Sequence, residues 1–149
     1  NALPTQLYLS TNAADYESFL KINRPRYDDS WERWNKTLKM LSALDTRTVL
    51  RLTLIRGYND NEEMIPVFAS LLQKSNAHFV EIKSYMHIGR STNRLEHSDM
   101  LEMDEVRSFA NKLAQENSDF TVMDESGISR IVILQNKKRF VDRFIPACC

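Results

Sequence analysis

The sequence predicts an α/β fold: parallel strands with helices outside them, closing on a short hairpin-like pair. Three observations predict it. Strand-like and helix-like segments alternate, as in βαβ units with right-handed crossovers. The last two strand segments are joined only by "ESGI" (125–128), a hairpin-length link that no crossover fits. Three earlier strands each pair an apolar face with a polar one, where a parallel sheet covered on both sides would run continuously apolar.

The elements follow in order. "TQLYLS" (5–10) alternates Leu7 and Leu9 with Gln6, Tyr8 and Ser10. "AADYESFLKI" (13–22) reads as a helix. "SWERWNKTLKMLSAL" (30–44) carries Trp31, Trp34, Leu38 and Leu41 on one stripe, with Asp29 and Glu32 spaced as a capping box. "TVLRLTLI" (48–55) holds Leu50, Leu52 and Leu54 on one face and Arg51 with Thr53 on the other. "NEEMIPVFASLLQKS" (61–75) is helical, its start blurred by Pro66. "HFVEIKSY" (78–85) sets Glu81, Lys83 and Tyr85 against Val80 and Ile82. "MDEVRSFANKLAQEN" (103–117) groups Val106, Phe109 and Leu113. "DFTVMD" (119–124) and "SRIVILQ" (129–135) complete the strands. So few strands make either a small open sheet or part of a barrel. In a barrel the polar faces line the lumen, and ligands collect at the carboxyl ends of the strands. In the bland alternative the strands form an edge with one wet face.

The 149 residues suffice for one domain with a real core. Lys plus Arg and Asp plus Glu are 20 each, so no global basic footprint marks a nucleic-acid partner. Local clusters remain at Lys137, Lys138 and Arg139, and at Arg90 with Arg94. Solvated surface is the ordinary reading of either. Cys148 and Cys149 are adjacent, which suits neither a disulfide framework nor a metal site. A cytosolic location fits that usage. The chain opens at Asn1, almost on a strand, and reads as a piece of a longer chain or a processed one.

Several residues permit chemistry. Arg51 suits a carboxylate or phosphate, held bidentately. Lys83, on an inner strand with Glu81 two positions before it, suits a Schiff-base nucleophile, although a structural Glu–Lys or Glu–Arg ion pair is the commoner use of such residues. In "IRGYNDNEE", Gly57 permits a tight turn. Asn59 or Asp60 could cap the next helix, with Glu62 or Glu63 completing the box. The backbone of such a turn could meet a nucleobase or an anion. "YMHIGRSTNRL" (85–95) is a polar loop with His87, Gly89 and two arginines, set to lie over a barrel mouth.

The ordered blocks "LPTQLYLS", "NRPRYDDSWERW", "TRTVLRLTLIRGYN", "FVEIKSYMHIGRSTNRL" and "EVRSFANKLA" resemble the radical-SAM tRNA 4-demethylwyosine synthases, through about Leu134. The resemblance implies the carboxyl-terminal part of a TIM-like radical-SAM barrel over about 1–85. It also implies the family's wyosine-formation region over about 79–135 and a basic tail at 136–149. It further implies an amino-terminal half of the barrel, carrying C-x3-C-x2-C and a [4Fe–4S] cluster, that these 149 residues do not contain. The implied reaction uses S-adenosyl-L-methionine, cleaved reductively, to attack the methyl of N1-methylguanosine in phenylalanine tRNA. Pyruvate then supplies two carbons for a third ring.

Residue by residue, the resemblance implies that Ser10 meets the ribose or methionine of the cofactor. Thr53, Ile55, Gly57 and Asp60 occupy a G-x-I-x-G-x-x-E pattern whose backbone meets adenine, with Thr for the first Gly and Asp for Glu. Arg51 and Asn59 join that cofactor-binding set. Glu81 and Lys83 are the catalytic candidates. Tyr85 faces substrate, and Arg90 and Arg94 face tRNA phosphates. No ligand role falls to Cys148 or Cys149. Two other functions fit the residues: a Schiff-base lyase using Lys83, and a non-catalytic tRNA-binding fragment.

Overall fold

A computed structural model of the protein describes residues 2–145. Its five strands form one sheet in the order β1-β2-β3-β5-β4. Strands β1 (Gln6–Ser10), β2 (Arg47–Leu54) and β3 (Phe79–Ser84) are parallel. Strand β5 (Ile131–Asn136) runs antiparallel to β3, and β4 (Phe120–Ser126) pairs with β5 outside it. The short link between β4 and β5 thus makes a hairpin that enters the sheet by its second strand.

Helices α2 (Ser30–Met40), α3 (Met64–Ser75) and α4 (Met103–Glu116) cover the apolar face. Leu50, Leu52 and Leu54 of β2, Val80 and Ile82 of β3, and Val132 and Leu134 of β5 meet Leu38, Phe68, Leu72, Val106 and Leu113 in one core. At roughly 25 cal/mol per Å² of apolar surface, this burial is the main force closing the layer. A second cluster, at the carboxyl ends of the strands, packs α1 (Tyr16–Asn23) through Phe19 and Ile22 against Ile55, Tyr85 and Leu95. Trp31 and Trp34 stack there at 5.3 Å.

Four helix starts differ from the sequence reading. Asp29 makes no capping bond to α2; its carboxylate pairs with Arg33 at 2.7 Å, four residues on. Neither Asn59 nor Asp60 caps α3. Asn61 Oδ1 accepts from Met64 N–H at 3.1 Å in the turn that leads into the helix, while Asp60 turns back to accept from Gly57 N–H at 2.8 Å. Gly57 has φ +72°, the left-handed value this turn needs. Unforeseen boxes open α1, where Asp15 and Ser18 cap reciprocally, and α4, where Glu102 and Glu105 do. Pro66 falls in the first turn of α3, where no N–H is required of it.

The segment after β5 folds back on the sheet. Arg139 donates to the carbonyls of Leu41, Leu44 and Asn76, tying together the loops that end α2 and α3. It is a staple rather than a solvated charge. Arg47 donates to the carbonyls of Asp142, Arg143 and Phe144, and Arg143 pairs with Asp124. This strap crosses the polar face near the amino ends of the parallel strands. Cys148 and Cys149 lie outside the described residues. Among the described residues no helix is long and apolar enough to cross a membrane.

Candidate active site

Where β1, β2 and β3 end, the chain turns over a cleft of about 410 Å³. Asn59, behind the cleft, ties three of its lining residues together. This side chain is fully buried. Its Oδ1 accepts from Ile55 N–H at 2.7 Å, and its Nδ2 donates to Asn12 O at 2.8 Å and Thr53 O at 2.9 Å. Asn12 returns the bond, its Oδ1 accepting from Thr53 N–H at 3.0 Å. The loop after β1 and the end of β2 are therefore one hydrogen-bonded bracket.

The loop 85–101 forms one wall. Arg56 anchors it, donating to Ser98 O and Met100 O at 3.0 Å and gripping Glu105 with both terminal nitrogens at 2.6 and 2.7 Å. Hydrogen bonding to Arg56 holds the Glu105 carboxyl below its usual range, and the Arg56 guanidinium is raised in turn. Tyr85 is buried, its hydroxyl 3.2 Å from His87 Nδ1 and 3.1 Å from Ser91 Oγ. The opposite wall is the end of α1. There Arg24 caps the helix at φ 46°, and Lys21 lies 4.4 Å from the ring centre of Tyr58.

Lys83 projects from the same face of β3 as Tyr85, beside Thr53 in the register. It lines the cleft together with Lys21, Arg24 and Arg94, and no Asp or Glu is among the lining residues. Such a pocket attracts carboxylates and phosphates.

Of the residues expected at the site, Thr53, Ile55, Lys83, Tyr85 and Arg94 meet in the cleft. Arg51 and Glu81 do not line it. They lie one layer down the same face, joined Nε to Oε1 at 2.7 Å, with the guanidinium 4.3 Å from the Tyr8 ring. Ser10, Gly57, Asn59 and Arg90 also stand outside the lining. The backbone N–H groups of Thr53, Ile55 and Gly57 are already bonded to Asn12, Asn59 and Asp60. Those three N–H groups are therefore spent within the fold.

Sequence reasoning missed Lys21, Arg24 and Tyr58. The Asn23-Arg24-Pro25 run carried a signal for Arg24, because the residue before a proline leaves the helical region and ends a helix there. Among the described residues no group of three His, Cys, Asp or Glu side chains is placed to hold a metal.

A family model described as wyosine base formation matches residues 74–136. Over 139 residues the chain is 42% identical to the S-adenosyl-L-methionine-dependent tRNA 4-demethylwyosine synthase of Methanocaldococcus jannaschii, covering 93% of this chain and 43% of that protein. It is 34% identical to the synthase TYW1 of Mus musculus, covering 93% of this chain and 19% of that one. The structure of TYW1 with a lysine-pyruvate adduct bound superposes at TM-score 0.80 with 41% identity, over 91% of this chain and 42% of that chain. The crystal structure of archaeal TYW1 does so at 0.73 with 37% identity, over 93% and 42%. The chain thus spans less than half the length of these relatives. Its sheet corresponds to the later part of their radical-SAM TIM barrel.

Proposed function

We propose, because the chain belongs to the tRNA 4-demethylwyosine synthase family and matches its carboxyl-terminal part, that it forms the substrate-side wall of such an enzyme. In this reading the complete protein condenses N1-methylguanosine of phenylalanine tRNA with pyruvate to give 4-demethylwyosine, in the cytoplasm. The missing amino-terminal half of the barrel would carry the [4Fe–4S] cluster. S-adenosyl-L-methionine and the cluster, when bound, would supply the hydrogen-abstracting chemistry. On this chain, the Thr53 hydroxyl and the Ile55 side chain would face the cofactor.

One observation carries the reading. Lys83 stands in a cleft framed by Lys21, Arg24 and Arg94 without a carboxylate. A pyruvate carboxylate would be held by Lys21 and Arg24, with its carbonyl carbon within reach of Lys83 Nζ. The neutral amine attacks that carbon, water leaves, and an imine joins the two. A solved relative is described with a lysine-pyruvate adduct bound, which agrees with amine chemistry in this family. Tyr85, buried beside the cleft and bonded to His87, would orient the substrate or carry a proton.

Borohydride trapping tests this. The chain joined to the amino-terminal half its relatives carry is incubated with pyruvate, reduced and mapped by peptide mass spectrometry. A reduced pyruvate adduct on Lys83, lost in Lys83→Arg, is expected. An adduct confined to another lysine would remove the nucleophile role from Lys83 and leave the family reading standing.

A further inference from the structure

Two large apolar side chains stand in water at the rim of the cleft. Ile88 is 70% exposed and Met86 39%, and both also line the cavity. The backbone that presents them is braced. Ile88 N–H donates to Met86 O at 2.8 Å, closing a three-residue turn. Ser91 Oγ donates to Ile88 O at 2.7 Å, and His87 N–H meets Met100 Sδ at 3.3 Å. His87, between them, turns its ring inward to Tyr85 and His97. With the middle residue anchored, its two neighbours are directed outward.

The surroundings of this tip are cationic. Arg90 lies in the 3-10 turn that follows it and Arg94 ends that turn, and Lys21 and Arg24 face it across the cleft. An apolar point framed by cations complements nucleic acid, whose bases are apolar on their faces and whose phosphates are anionic. A purine beside an anticodon is stacked between its neighbours. An enzyme acting on such a base must take it out of the stack, and apolar wedges are a recurrent way of filling the gap.

We propose that Met86 and Ile88 form a wedge that enters the RNA stack beside the target base while that base occupies the cleft, and that Arg90 and Arg94 hold the flanking phosphates. This deepens the tRNA-modification reading and rests on it.

The test uses the chain joined to its relatives' amino-terminal half and an anticodon stem-loop RNA bearing 2-aminopurine next to the target purine. Binding of the wild-type protein should raise the fluorescence as the neighbour unstacks. Ile88→Ala combined with Met86→Ala should lose most of the rise, with an unchanged melting temperature, and Ile88→Leu should retain it. A full rise in the double alanine variant overturns the wedge. So does a melting temperature several degrees lower in that variant, which would show the pair packed against the amino-terminal half. A wild-type protein that fails to bind the RNA would sink the tRNA reading itself, a result distinguishable from both.

Discussion

Arg51 and Glu81 face each other across neighbouring parallel strands, directly opposed in the register and joined Nε to Oε1 at 2.7 Å. The Glu81 side chain is only 11% exposed, against 39% for Arg51. The pair is thus sealed on the carboxylate side and open on the guanidinium side. Below the cleft it neutralises the polar face, and it leaves Lys83 without a partner carboxylate on its own strand.

Replacing Arg51 by Leu strands a nearly buried carboxylate. A fully buried pair broken in this way costs about 3–5 kcal/mol, and the exposure of Arg51 lowers the expected loss to about 2 kcal/mol. Thermal melts should show that loss for Arg51→Leu, and recovery of most of it in Arg51→Leu with Glu81→Leu. Unchanged melting with abolished turnover in the complete enzyme would instead assign Arg51 to ligand binding.

Asn59 spends its whole amide on three backbone groups. Asn59→Ala leaves the buried Ile55 N–H and two carbonyls unpaired, which should cost about 2–4 kcal/mol. Asn59→Asp keeps the acceptor but removes both donated bonds and buries a charge, so it should be at least as damaging. Urea denaturation read by tryptophan fluorescence measures both.

Acid should destabilise the fold in two steps. Burial, with Arg139 and Arg47 nearby, pushes the His78 imidazole below its ordinary 6.5. Its Nδ1 accepts from Thr48 N–H at 3.1 Å, a bond that the imidazolium could not make. Below that ordinary value the unfolded chain binds the extra proton, so stability is full above pH 6.5 and falls as pH drops toward the lowered native value. Glu105, held down by Arg56, adds a second loss as pH falls below its ordinary 4.5. His78→Gln should flatten the first step and spare the second in melts taken from pH 8 to 2.

Among the described residues strand β1 pairs only with β2, and the described part of the basic tail binds Arg47, Gln135 and Asp124 instead of covering its outer edge. With neither charge nor proline across Gln6–Ser10, that edge is open to pairing. Amides of β1 should exchange faster than those of β2 and β3, and should slow when the amino-terminal half of the barrel is supplied. Equal protection of all three strands in the monomeric chain would contradict this.

The chain by itself should form no deoxyadenosine from S-adenosyl-L-methionine after treatment with iron and sulfide. Reductive cleavage needs a ligated cluster, and its two cysteines are adjacent. Deoxyadenosine in that assay would overturn the division of labour proposed above.

The strand and helix order, the apolar stripes and the polar second face of β1 to β3 were legible in the sequence, because periods of 2.0 and 3.6 are properties of the local backbone. So was the placing of Thr53, Lys83 and Tyr85 on one face at the carboxyl ends of their strands, since side chains alternate along a strand. Other features were decided only by tertiary structure. The choice of Glu81 as partner for Arg51 follows from the register of two strands 30 residues apart. Lys21 and Arg24 reach the cleft because α1 docks on Ile55 and Tyr85. Asn59 looked like a helix cap because a local pattern carries only local bonds. In the fold its amide meets Asn12, 47 residues away, and a bond that long in sequence is set by packing and leaves no periodic trace.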